Sequence, residues 1–217
     1  MSRYELVIFD WDGTLMDSTG LIAGCIRETC RDMGLAVPGV EEAKWIIGLG
    51  LDQSMARIAP GLGAAGQREF ADRYRRLFLA RDHEAPLFEG IPALIGELRA
   101  RERRLAVATG KSRRGLERAL AASGLSGSFD ATRCADEGFP KPHPDMVLAL
   151  LDRLAVAPAR AVMIGDTTHD LELAANAGVD AVAVTYGAHG ETELRARPAR
   201  HFAPSVAALR EWLESHA

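Results

Sequence analysis

The sequence predicts an α/β fold, a Rossmann-like doubly wound parallel sheet core with an inserted all-helical cap domain. Three observations predict it. Four short apolar runs, at 6–9, 105–108, 161–164 and 181–184, are each closed by turn or polar residues, as buried parallel strands are. Helical stretches at 93–101, 113–123, 144–154 and 171–177 alternate with the later runs, the βαβ order of a sheet covered on both faces. After the first run, about 70 residues carry helical periodicity and no convincing strand, too many for a plain loop.

Taken in order, the first strand ends at Asp10 and at the turn Asp12-Gly13. Asp17-Ser18-Thr19 then offers N-caps, and Leu21, Ile22, Cys25, Ile26, Thr29, Cys30 and Met33 share one helical face before Gly34. Further helices fit 41–47, 51–59 and 67–81. The expected division is a core of 1–15 and 87–217 and a cap of 16–86, hinged near Leu15-Met16 and Pro86-Leu87. In the core, Gly124 and Gly178 stand just past periodic segments, where glycine ends helices.

With 47% hydrophobic and 26% charged residues among 217, the chain can bury a sizeable core, which excludes disorder and collagen. The balance of 26 basic and 30 acidic residues, net charge -4, leaves no basic stripe for a nucleic-acid backbone. Cys25, Cys30 and Cys134 lack C-x-x-C spacing, which argues against a disulfide framework and a zinc site. The opening residues show neither a signal-peptide pattern nor a span of about 20 apolar residues, so the expected location is the cytoplasm, with no membrane partner.

Polar residues gather at the strand ends, where ligands bind in open parallel sheets. Asp10-Trp11-Asp12-Gly13-Thr14 sets two carboxylates two apart, suited to a nucleophile beside a proton donor and acceptor; read alone, Asp12-Gly13 is equally a turn. Gly165-Asp166-Thr167-Thr168-His169-Asp170 adds two carboxylates four apart, though Asp170 also suits a helix cap. Carboxylates converging on one sheet edge repel unless a hard cation sits among them, and Mg²⁺ suits a few carboxylates plus phosphate oxygens. Thr109-Gly110-Lys111-Ser112 offers a hydroxyl and backbone N–H groups to a phosphoryl oxygen. Lys141, one of only three lysines, offers a fixed positive charge. Together these are the parts of phosphoryl transfer.

These motifs, in this order, resemble the haloacid dehalogenase-like hydrolases, in particular the phosphoglycolate phosphatase-like branch with a helical cap after the first strand. The resemblance runs across the whole chain through Phe9-Asp10-Trp11-Asp12-Gly13-Thr14-Leu15, Thr109-Gly110-Lys111, Lys141-Pro142-His143-Pro144 and Ile164 to Asp170. It implies a Mg²⁺-dependent phosphatase acting on a small phosphorylated metabolite, 2-phosphoglycolate first, through an aspartyl-phosphate. Asp10 is then nucleophile and metal ligand, and Asp12 is acid/base and lends its backbone carbonyl to the metal. Thr109, Gly110 and Lys141 hold the phosphoryl group, Asp166 binds Mg²⁺ and Asp170 supports the metal site. Gly48-Leu49-Gly50 resembles the substrate-facing cap loop. Trp11 departs from the usual aliphatic residue, and its side chain is expected to point away from the site.

Other readings stand beside this one. A sugar phosphomutase of the same superfamily would use the same motifs but tends to carry valine where Thr14 stands. A haloacid dehalogenase would not need Asp12 or a metal. A non-enzymatic phospho-receiver would lack the helical insertion. Gly61-Leu62-Gly63-Ala64-Ala65-Gly66 matches a dinucleotide pattern without a preceding strand and reads as a cap loop. His143 and His169 read as structural or peripheral. Oligomeric state is not legible.

Overall fold

The computed structural model describes residues 3–217. Six parallel strands form one sheet in the order β3-β2-β1-β4-β5-β6: β1 is Leu6–Phe9, β2 Arg104–Ala108, β3 Ala131–Arg133, β4 Ala161–Gly165, β5 Asp180–Val184 and β6 His201–Ala203. The central strand β1 pairs Phe9 with Val107 on one side and Ile164 on the other.

Alternation along the strands sends side chains to two separate cores. Val7, Phe9, Leu105, Val107, Val162, Ile164, Val182 and Val184 meet the helices α5 (Ile91–Ala100), α6 (Arg113–Ala122) and α10 (Val206–His216). Leu6, Ile8, Ala106, Ala108, Met163, Ala181 and Ala183 meet α7 (Asp145–Leu154), α8 (Thr168–Asn176) and α9 (Glu191–Arg195). Both faces are thus dry, which is why the inner strands read as unbroken apolar runs.

Between β1 and α5 lie four α-helices, α1 (Thr19–Asp32), α2 (Val40–Trp45), α3 (Leu51–Ile58) and α4 (Ala64–Arg81), and a short 3-10 turn at Asp82–Glu84. They bury a third cluster that includes Ile22, Ile26, Cys30, Ile46, Met55, Ile58 and Phe70. The two crossings into and out of this layer run side by side. Met16 pairs antiparallel with Leu87, Asp17 N–H donates to the Pro86 carbonyl and Phe88 N–H to that of Leu15.

Several expectations need correcting. β3 and β6 were not anticipated, because each is a three-residue edge strand with only one buried residue, too short to show a period. α9 and α10 were also missed, although Ser205 accepts from Ala208 N–H at the start of α10 and Leu209 and Leu213 face the core. α4 begins at Ala64, not at 67, so Gly66 lies inside that helix and not in a loop. Ser18 precedes α1 but makes no side-chain cap, since its hydroxyl is engaged elsewhere.

Candidate active site at the strand ends

β1 and β4 deliver Asp10, Asp12 and Asp166 to the same edge of the sheet, and α8 supplies Asp170 from its first turn. Carboxylate oxygens of Asp10, Asp166 and Asp170 all lie within 4.8 Å of one another, and all three residues are buried. Lys141 is fully buried among them, its ammonium 2.6 Å from Asp170 Oδ1 and 2.8 Å from Asp10 Oδ1. Asp170 also closes a capping box: Thr167 N–H and hydroxyl both donate to its Oδ2, which leaves Oδ1 on Lys141 within the carboxylate cluster.

Asp166 is held from two sides. Thr14 Oγ1 donates to Oδ1 at 2.8 Å and Ala188 N–H to Oδ2 at 2.7 Å. Gly13, at φ +83°, lets the first strand's turn pass so close that a Cβ there would lie 2.1 Å from Asp166 Oδ2. Asp12 stands apart from the carboxylate cluster, with Ser18 Oγ at 2.7 Å and Lys111 Nζ at 2.8 Å, both on Oδ1.

Three carboxylates against one ammonium leave an excess of two negative charges out of water. Burial raises the Asp10 carboxyl to about 7 against the pull of Lys141, with Asp170 adding to the rise. Burial likewise raises Asp166 well above the carboxylate range, with Asp10 and Asp170 adding to the effect. Asp170 feels the same burial but is held below the ordinary value by Lys141 and the Thr167 hydrogen bonds. Lys141, despite burial, is kept protonated by Asp10 and Asp170. Among the described residues, Asp10 Oδ1 is the buried side-chain oxygen without a hydrogen bond: Lys141 reaches it as an ion pair without hydrogen-bond alignment. Three convergent buried carboxyl groups, two of which resist ionisation in each other's company, are the hard oxygen donors that a divalent cation such as Mg²⁺ takes.

The remaining predicted residues converge here too. Thr109 is buried at the end of β2, its hydroxyl accepting from Lys111 N–H at 3.1 Å. Leu49 bridges to Lys141, and a Cβ on Gly110 would lie 3.0 Å from Gly48 Cα and 3.1 Å from Gly48 O. Gly50 packs on Pro140. The 48–50 loop therefore rests on the second and third motifs at once. Trp11 points away as expected, buried with its indole edge on Phe129 and Nε1 donating to Met16 Sδ. Sequence reasoning assigned no part in the site to Thr14 or His189, read Ser18 as a helix cap, and gave the Lys111 side chain no partner. His189 is buried in the loop after β5, within no motif. Burial lowers both His169 and His189, which keeps the rings neutral.

Residues 7–184 match the haloacid dehalogenase-like hydrolase family, from the first strand to the end of β5. The chain belongs to that family. Within it, the chain is 34% identical to a 5'-nucleotidase of Pseudomonas aeruginosa, over 99% of this chain and 97% of the relative. It is 33% identical to a phosphoglycolate phosphatase of Rhodospirillum rubrum, over 84% and 80%. A solved haloacid dehalogenase-like family hydrolase from Streptococcus pneumoniae superposes with a TM-score of 0.84 at 25% identity, covering 98% of this chain and 99% of that one. Among the described residues no helix is long and apolar enough to cross a membrane.

Proposed function

We propose that this hydrolase is a Mg²⁺-dependent phosphatase of small phosphorylated metabolites, with 2-phosphoglycolate as its substrate. The observation that carries the reading is the buried set of Asp10, Asp166 and Asp170 around Lys141, with Asp12 two residues beyond Asp10. The phosphoglycolate phosphatase relative supports the substrate. The 5'-nucleotidase relative makes nucleoside monophosphates the competing class.

Asp10, Asp166 and Asp170, with the Asp12 carbonyl, would hold Mg²⁺, which supplies charge neutralisation at the phosphoryl oxygens. An Asp10 carboxylate oxygen attacks phosphorus while the bond from phosphorus to the ester oxygen breaks. Asp12 gives its proton to the departing oxygen, leaving an aspartyl-phosphate on Asp10. Asp12, now a base, takes a proton from water, whose oxygen attacks phosphorus; the bond to Asp10 breaks and inorganic phosphate leaves. Thr109, the Gly110 backbone and Lys141 hold the phosphoryl oxygens throughout. Residues 16–86 act as a cap that shuts out bulk water, hinged at the paired crossings.

The testing experiment is phosphate release from a panel including 2-phosphoglycolate and nucleoside 5'-monophosphates, with Mg²⁺ and with chelator, for the parent and Asp10→Asn. The expected result is Mg²⁺-dependent kcat/KM about a hundredfold higher for 2-phosphoglycolate, near 2.7 kcal/mol of transition-state discrimination, and no turnover by Asp10→Asn. A preference for nucleotides would transfer the substrate assignment to that class. Turnover by purified Asp10→Asn would refute the mechanism.

A further inference from the structure

The carbonyl of Trp45, at the last residue of α2, is one of the helix-end acceptors that no intrahelical N–H can satisfy. Two core histidines take it: His169 Nε2 at 3.0 Å and His189 Nε2 at 2.9 Å. A carbonyl only accepts, so both rings carry their proton on Nε2, and together they fill both lone pairs. For His189 this tautomer is fixed a second time, because Nδ1 accepts from the N–H of Thr168 at 3.1 Å. The rings also pack around the indole. His169 meets it edge-on at 4.8 Å, His189 stacks on it at 5.6 Å and 13°, and the Arg57 guanidinium lies 3.7 Å from its centroid.

What the two histidines belong to gives the contact its meaning. His169 directly precedes Asp170 on α8. His189 directly follows Ala188, whose N–H holds Asp166 Oδ2, and its own N–H donates to the Asp166 carbonyl at 3.3 Å. Trp45 in turn stands three residues before Gly48, the start of the loop seated on Gly110 and Lys141. One carbonyl therefore joins α8, which carries Asp170, and the 188–189 segment, which holds Asp166, to the root of the cap loop.

We propose that His169 and His189 are positioning residues that clasp the end of α2 to the core, fixing the Gly48-Leu49-Gly50 loop in register with Asp166 and Asp170. Closure of the cap over a phosphate ester then brings the loop to one fixed position beside the two carboxylates, which their own hydrogen bonds already hold. This rests on the phosphatase reading for its kinetic consequence, but the clasp itself is a contact that can be measured without substrate.

The experiment compares the parent with His169→Leu and His169→Gln in the full chain, by hydrogen exchange of the 46–50 amides and by steady-state kinetics. His169 suits the comparison because glutamine can present an N–H near the Nε2 position, whereas leucine cannot. His169→Leu should speed exchange at 46–50 and raise KM by about tenfold with a smaller change in kcat, the pattern of lost binding and not of lost chemistry. His169→Gln should recover both, and amides of β2 and β4 should exchange as in the parent. If His169→Leu fails to fold, His189→Asn, whose amide stops short of Trp45, takes the same arm. Unchanged exchange at 46–50 in the variant lacking the donor overturns the clasp, as does a glutamine variant no better than leucine. Absence of ester hydrolysis by the parent would remove the phosphatase reading while the exchange result still decides the clasp.

Discussion

The ammonium of Lys111 lies 2.8 Å from Asp12 Oδ1, the same oxygen that accepts the Ser18 hydroxyl at 2.7 Å. An oxygen already accepting from two donors is a poor seat for a proton, so on the proposed mechanism Asp12 hands over its proton from Oδ2. The Phe78 ring of α4 lies 4.7 Å from the same ammonium, which ties this arrangement to the helical layer between β1 and α5.

Lys111→Met should therefore impair leaving-group protonation. We expect kcat for alkyl phosphates to fall by about ten- to hundredfold, within the range of general acid catalysis. For p-nitrophenyl phosphate, whose leaving group departs without a proton, the loss should be much smaller. Equal losses on the two esters would place Lys111 outside proton transfer.

Gly110→Ala tests the seat of the cap loop. The added Cβ would meet Gly48 backbone at 3.0 Å, and backbone cannot swing aside as a side chain can. Overpacking of this kind costs about 1–3 kcal/mol, borne by the form in which the two loops touch. KM should rise by about tenfold while the melting temperature stays that of the parent. A lowered melting temperature with unchanged KM would mean that the contact persists when substrate enters.

Asp180, at the start of β5, gives a pH dependence remote from the site. It accepts from Tyr4 Oη at 2.8 Å, Arg3 at 2.6 Å and Arg200 at 2.7 Å. Burial pushes its carboxyl up, but the Arg200 and Tyr4 hydrogen bonds outweigh this and hold it below the ordinary value. Such a group stabilises the fold above the unfolded carboxylate value of about 3.9, and the contribution fades as pH falls through the lower folded value. Asp180→Asn should thus melt below the parent at neutral pH, with the difference closing in acid. A difference that stays constant into acid would assign the effect to packing instead.

How legible the molecule was depends on the range over which each feature is encoded. Asp10 and Asp166 could be found because each ends an apolar run that only a buried strand explains. Asp170 and Thr109 followed from their place beside such runs, and Lys141 from being one of only three lysines, just ahead of the helix expected at 144–154. The partners of Asp12 were not legible in the same way. Ser18 has the sequence signature of a helix cap, and its diversion to a carboxylate shows only in three dimensions. Lys111 stood inside a motif, but its contact with Asp12 spans 99 positions. His189 gave no signal at all, since a loop histidine becomes informative only when Trp45, 144 positions away, is seen to need a donor.

The strand that carries Asp10 is synthesised before either of its neighbours, for Phe9 pairs with Val107 and Ile164. Closing loops of that length is slow, whereas the helices between β1 and α5 contact one another locally and can fold first. A nascent chain therefore displays Asp10 long before Asp166 and Asp170 emerge to surround it. On the proposed mechanism, hydrolytic competence waits until β4 and α8 have joined the sheet, and a chain interrupted ahead of β4 would be inert toward the phosphate esters around it.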